Sequence, residues 1–119
     1  MTTPLFDRLG GAEGITSISN AIVEAHKVNP IIGVRFLDSD NENLKVLVRD
    51  FFMMGSGGPN QYKGRDMTSA HRGMNLTERE LTAAIDDVLM VLDKHDIDAV
   101  SRNEVLAILY SFKDEVCYQ

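Results

Sequence analysis

The chain has 119 residues and is 44% hydrophobic, with 12 basic residues against 18 acidic ones and a formal net charge of −6. This length supports one core, so we expect a single domain over residues 1–119. The acidic balance lacks the positive field that nucleic-acid binding needs, and Cys117 alone excludes a disulfide-rich secreted scaffold. With no membrane-length apolar run and no secretory-signal pattern in the sequence, we expect a cytoplasmic protein that binds neither nucleic acid nor membrane.

The first third of the chain predicts two helices. A short one over residues 4–9 starts with a proline and is ended by two glycines. A long one starts at Ala12, because apolar residues then recur at steps of three and four, and it ends before Pro30. A brief apolar stretch over residues 31–37 and a polar turn follow.

The next helix, from Glu42 to Gly55, carries a wide apolar face. Its large residues are Leu44, Leu47, Val48, Phe51 and Phe52. Packing inside a helical bundle explains such a face, and the alternative is that part of it covers a flat apolar ligand. The glycine-rich loop that follows does not end in Gly-Lys-Ser/Thr and does not follow a strand, so it is not a phosphate-binding loop.

The second half of the chain predicts three more helices. Residues 66–72 allow two helical turns. Two capping boxes, Thr77 with Glu80 and Ser101 with Glu104, each predict the start of a longer helix. No stretch alternates with a period of two for long enough to form a sheet, so the sequence predicts an all-α fold with four substantial helices and two or three short ones.

Three histidines are present, and their spacing matches no local zinc motif. His95 sits at a predicted helix end, where solvation explains it, and His26 is either solvated or partly buried. His71 follows Met67 by four residues, so both lie on one side of a short helix flanked by glycines. Neutral imidazole is a good iron ligand, but spacing alone leaves a structural histidine as the alternative.

Several short motifs follow one another at fixed spacing. They are LFDRLGG at 5–11, FF at 51–52, GGP at 57–59, YKGRDM at 62–67 and AH at 70–71. In this order and spacing they resemble the truncated haemoglobin family, most closely its group I, over roughly residues 4–116.

The resemblance implies an all-α truncated globin fold, a two-on-two helical sandwich around one haem b per chain. His71 matches the proximal histidine that binds the iron, and Phe36 matches the phenylalanine that wedges against the porphyrin. Tyr62 matches a tyrosine that steadies the loop before the proximal helix, and Arg65 is a candidate partner for a haem propionate. The other implied haem-binding positions are apolar: Leu44, Leu47, Val48 and Phe52 on the distal side, and Met67, Leu76, Leu81 and Val88 on the proximal and inner side.

The implied distal ligand pocket departs from the group I pattern. Group I usually places a tyrosine above the iron, often supported by a glutamine, but the matching positions here are Val23, Leu44, Leu47 and Val48. None of them can donate a hydrogen bond, which stabilises bound dioxygen by about 1–3 kcal/mol and carbon monoxide by less. We therefore expect CO or NO to be favoured over tight O2 binding, and a five-coordinate ferrous iron unless His26 turns in.

The resemblance implies a haem-binding globin that reversibly binds a diatomic gas (O2, CO or NO) for carriage, storage or sensing, and whether it is also an enzyme stays open. One alternative is a haem enzyme such as a nitric oxide dioxygenase or peroxidase, which needs a stable oxygen complex or a polar distal acid or base. Another is a haem-free globin-like interaction domain. We expect a monomer or weak dimer, in which Cys117 lies near a frayed end and can form an intermolecular disulfide under oxidising conditions. The sequence indicates no particular redox partner.

Overall fold

Helices account for the regular structure of this computed structural model, which describes residues 3–37, 40–59 and 66–119. In chain order they are α1 Leu5–Arg8, α2 Gly11–Val28, a 3-10 turn Gly33–Phe36, α3 Asn41–Gly55, α4 Met67–His71, α5 Glu78–Lys94, α6 Ala99–Ser111 and α7 Lys113–Val116. Within those three stretches the only β pairing is an isolated bridge between Leu76 and Cys117. The all-α prediction is confirmed, with four substantial helices.

Polar side chains begin the helices that follow the longer loops. A carboxylate oxygen of Asp40 accepts a hydrogen bond from the backbone N–H of Asn43 at the start of α3. Thr77 and Glu80 form the predicted capping box at the start of α5. Each of these contacts satisfies a backbone N–H that has no partner within its own helix.

The capping box predicted at Ser101 is wrong. The helix begins earlier, because the carboxylate of Asp98 accepts hydrogen bonds from both the backbone N–H of Ser101 at 3.1 Å and its hydroxyl at 2.7 Å. Glu104 does not reach back to a cap, since its two carboxylate oxygens bind the guanidinium of Arg8 at 3.1 and 2.7 Å. The helical segment that follows is divided at Phe112 into α6 and α7.

The core lies between two pairs of helices. α2 packs against α3, α5 packs against α6, and the two pairs meet where α2 packs against α5. On α2, the side chains of Ile15, Ile18 and Ile22 are almost fully buried. They join a cluster that also contains Leu5, Leu9, Met53, Val88, Val91, Leu92 and Val105. None of the helices within residues 3–37, 40–59 and 66–119 combines the length and the apolar composition that a membrane span requires.

The position of α4 is set by its packing against α7, near the C-terminal end of the chain. This helix has five residues, none of them fully buried. The backbone of Asp66 begins it, and the carboxylate of that residue accepts a hydrogen bond from the N–H of Ser69. This bonding with Ser69 holds the pKa of the Asp66 carboxyl below its usual value.

Candidate haem site

His71 is fixed by a hydrogen bond within α4. Its Nδ1 atom lies 2.8 Å from the carbonyl oxygen of Met67. Because a carbonyl can only accept, Nδ1 carries the proton and Nε2 keeps its lone pair. Proteins orient metal-binding imidazoles in this way, with the second ring nitrogen donating to a carbonyl or carboxylate. The chemistry of His71 is therefore compatible with the iron-ligand role that the family resemblance implies.

The apolar face of α3 is only partly covered by protein. Asp50 and Met53 are the buried residues of this helix. The large apolar side chains along it are part-buried, and they are Leu44, Leu47, Val48, Phe51 and Phe52. Further removal of such surface from water is favourable by roughly 25 cal/mol per Å². An apolar face that protein leaves part-exposed suits contact with a flat apolar group such as a porphyrin, so the chemistry of these residues fits haem.

Val23 and His26 lie one turn apart on α2 but have different surroundings. The side chain of Val23 is fully buried. His26 donates from Nδ1 to the carboxylate of Asp87 on α5 at 2.8 Å, and its ring stacks on that of Phe36, with centroids 5.7 Å apart. α5 and the 3-10 turn thus hold the imidazole, which argues against the alternative in which His26 turns in beside Val23.

Local sequence patterns did not indicate the contacts that hold the segment around Phe36. Asn29 donates to both carboxylate oxygens of Asp87, at 3.1 and 3.0 Å. The guanidinium of Arg35 binds the carboxylate of Glu80 through Nε and Nη2. Both contacts join residues 45 or more positions apart in the chain. The only sign of them in the sequence was the presence of acidic residues, Glu80 in the first turn of α5 and Asp87 in its middle.

The remaining predicted site residues occupy several environments. Phe36 ends the 3-10 turn, and Phe52 packs against the core cluster. Met67 and Leu81 are part-buried, whereas Leu76 and Val88 are buried. Tyr62 and Arg65 lie outside the described residues.

His95 and Cys117, the two other side chains whose roles the sequence left to be decided, both have structural contacts. His95 caps α5, where its Nδ1 lies 2.9 Å from the Val91 carbonyl oxygen and its Nε2 lies 2.9 Å from the Ser17 hydroxyl on α2. Cys117 is 5% exposed, and its burial raises the pKa of its thiol. The expectation of a frayed, accessible cysteine is wrong, because the backbone of Cys117 pairs with Leu76. Among the residues that the structure describes, no three His, Cys, Asp or Glu side chains are grouped to hold a metal ion.

These helices form a two-on-two arrangement. A histidine of fixed tautomer lies on a short helix, and an apolar helix face is only partly covered by protein. Together these features are typical of a small, truncated globin. The family model for bacterial-like globins matches residues 4–118. The chain belongs to this family and, within it, to the group 1 truncated haemoglobins.

Named relatives support this membership. A group 1 truncated hemoglobin of Tetrahymena thermophila is 30% identical over 88 residues, which cover 74% of this chain and 73% of that protein. The one from Tetrahymena pyriformis is 29% identical over 111 residues and 92% of each chain.

Solved structures share the fold. The Fe(III) form of the Tetrahymena pyriformis truncated hemoglobin has a TM-score of 0.95 at 24% identity, covering 98% of this chain and 100% of that chain. The cyanomet 2/2 hemoglobin from Synechococcus sp. PCC 7002 has a TM-score of 0.89 at 21% identity, covering 96% and 98%. The predicted truncated globin fold is confirmed, and the protein is a haem-binding globin for diatomic gas ligands.

Proposed function

We propose that this globin holds one haem b with its iron on Nε2 of His71, and that its apolar distal side favours CO or NO over tight O2 binding. When bound, haem supplies the iron that coordinates the gas ligand. The observation that carries the proposal is the 2.8 Å hydrogen bond from Nδ1 of His71 to the Met67 carbonyl, which directs the lone pair to Nε2. The part-buried face of α3, with Leu44, Leu47 and Val48, supplies an apolar wall.

The ligand preference follows from what the distal residues lack. Val23, Leu44, Leu47 and Val48 carry no side-chain donor. Dioxygen on ferrous haem draws negative charge and gains about 1–3 kcal/mol from a donor in a dry pocket, whereas carbon monoxide is less polar and gains less. An apolar pocket therefore releases dioxygen faster by on the order of tenfold or more. His26, held by Asp87, does not replace the missing donor.

The remaining haem contacts in this proposal come from several elements. Phe36, whose ring stacks on that of His26, would contact the porphyrin when haem is bound. Tyr62 and Arg65 lie outside the described residues, and in this proposal they keep the roles that the resemblance implies, a tyrosine that steadies a loop and a partner for a haem propionate. The apolar contacts are completed by Phe52, Met67, Leu76, Leu81 and Val88.

We place the protein in the cytoplasm as a monomer or weak dimer. A single buried thiol suits a reducing compartment, and a net charge of −6 opposes association between copies.

Optical spectra of the ferric, ferrous and carbonmonoxy forms test this proposal, together with a pyridine haemochrome assay for one haem b per chain. We expect a five-coordinate ferrous form. In His71→Gly, the axial ligand is lost, and added imidazole should restore a five-coordinate ferrous spectrum by entering the space left by the ring. His95→Gln, which changes a histidine held by Val91 and Ser17, serves as the matched control and should keep the wild-type spectrum. An unchanged spectrum in His71→Gly, without imidazole, would disprove ligation by His71.

A further inference from the structure

The linker between α4 and α5 is bound to the last residues of the chain. The backbone N–H groups of Gly73 and Asn75 both donate to the backbone oxygen of Gln119, at 3.1 and 2.9 Å. In the opposite direction, the N–H of Tyr118 donates to the carbonyl oxygen of Leu76 at 2.8 Å. These three bonds close the segment that directly follows His71, and we call residues 117–119 the C-terminal clamp.

Burial and backbone conformation both indicate that the clamp is a specific contact. Cys117 is buried and forms the isolated bridge with Leu76. Asn75 and Tyr118, one on each side of the contact, have φ values of 48° and 59°. Residues other than glycine rarely adopt this left-handed conformation, and it persists where the surrounding structure determines it.

α4 depends on these contacts for its position. A helix of five residues is too short to be stable by itself, because nucleation is costly and few hydrogen bonds follow it. α4 packs against α7, which leads into the clamp, and the carbonyl of His71 accepts from the N–H of Met74 inside the clamped linker. The clamp therefore lies one short connection away from the imidazole.

We infer that the C-terminal clamp positions His71, so that closing the clamp and binding haem iron favour each other. The inference rests on His71 carrying the iron, as proposed above. Opening the clamp releases the linker and α4, which weakens the iron–histidine bond and speeds haem loss. Because coupling between two sites is reciprocal, haem binding should in turn keep the clamp closed and protect the Cys117 thiol.

One residue offers a matched pair of variants. Tyr118→Pro removes the N–H that donates to the Leu76 carbonyl oxygen. Proline also cannot adopt the φ of 59° that position 118 has, since its φ is fixed near −65°. Tyr118→Gly keeps that N–H and adopts the same φ without strain, while it loses the same aromatic ring. A difference between the two variants therefore reports the clamp and not the ring.

Three measurements on the haem-loaded proteins test the inference. In Tyr118→Pro, we expect a lower or broader iron–histidine stretching band in the resonance Raman spectrum of the ferrous form. We also expect haem transfer to apomyoglobin to be on the order of tenfold faster than in Tyr118→Gly. Thermal unfolding of both variants measures any general loss of stability, which by itself leaves the iron–histidine band unchanged. Equal bands and equal transfer rates in the two variants would overturn the inference.

The wild-type chain supplies a test that no folding defect can obscure. Cys117 is its only thiol, so its rate of reaction with a disulfide reagent reports the opening of the clamp. We expect haem loading to slow this reaction about fivefold or more, and we expect low urea to change the rate in the apo protein only slightly, as for a local opening. A thiol equally reactive with and without haem overturns the coupling. An unchanged spectrum of His71→Gly would instead refute the proposed iron ligand, so the two failures are distinguishable.

Discussion

Nδ1 of His26 lies 2.8 Å from a carboxylate oxygen of Asp87, and this contact joins the last turns of α2 to the middle of α5. Asn29 donates to the same carboxylate, and the His26 ring stacks on Phe36. One carboxylate therefore holds the end of α2 and, through the stacked rings, the phenylalanine that we propose to contact the porphyrin.

Removing this carboxylate should destabilise the fold. In Asp87→Ala, both His26 and Asn29 lose their acceptor, and unpaired polar groups in a part-buried site cost about 1–3 kcal/mol. We expect the free energy of unfolding, from urea titration followed by circular dichroism, to fall by that amount. Asp86→Ala is the control, because Asp86 is exposed and a surface change of this kind stays within about 0.5 kcal/mol. Equal effects of the two substitutions would show that the Asp87 contacts add nothing to stability.

A hydroxyl at position 23 should shift the ligand preference of the haem towards tighter O2 binding. Val23→Tyr adds a donor beside the proposed ligand site, whereas Val23→Phe adds the same ring without it. Because Val23 is fully buried, both variants carry the same overpacking cost, and their difference isolates the hydroxyl. We expect stopped-flow dioxygen dissociation to be about tenfold slower or more in Val23→Tyr than in Val23→Phe, with carbon monoxide dissociation little changed. Identical dioxygen rates would place Val23 away from the ligand.

Periodicity and short-range cap chemistry were enough to predict most of the helices. The step of three and four that begins at Ala12, and the capping box of Thr77 with Glu80, both correspond to observed helices. These signals act over one or two turns, so a single sequence contains them in full.

Choices between equivalent local signals could not be predicted. Asp98 and Ser101 both have N-cap chemistry, and the earlier one begins α6 because Ser101 and Glu104 are engaged by Arg8 from the other end of the chain. The same holds for the buried Cys117, whose partner Leu76 is 41 residues earlier in the chain. Tertiary contacts decide which residue begins α6 and whether Cys117 is buried, and the residue pattern of a single segment contains no information on those contacts.

The Arg35–Glu80 pair should make stability depend on pH in acid. The hydrogen bond from Arg35 favours the charged carboxylate and lowers the pKa of Glu80 from its usual value of 4.5. A lowered folded-state pKa gives stability that is fully present above the unfolded-state value and is lost as the pH falls through the folded-state value. Glu80→Gln should therefore lose stability at neutral pH and flatten the unfolding curve below about pH 4.5.

Thermal unfolding between about pH 3 and 7 measures this difference. Glu115→Gln is the control, because Glu115 has an exposed side chain on the short α7. It should retain the acid dependence of the wild-type chain. A Glu80→Gln curve parallel to that of the wild type over the whole range would contradict a role of the pair in acid stability.

The loop after α3 is set against the first helix by a glycine that has no room for a side chain. A Cβ atom at Gly58 would overlap Cδ2 of Phe6, and the N–H of Phe6 donates to the Ser56 carbonyl at 3.0 Å. Gly58→Ala must displace that ring from the core, so we expect about 1–3 kcal/mol lower stability in urea titration. Phe6→Leu removes the aromatic ring that a Cβ at Gly58 would meet, and in a double-mutant cycle it should recover part of the cost of Gly58→Ala.

Gly55→Ala serves as the control, because a Cβ there meets Ile108 at an ordinary 3.9 Å and alanine favours the helix by up to about 1 kcal/mol. An additive cycle would mean that Phe6 does not set the close approach of this loop, and that the end of α3 is held by its backbone bonds alone.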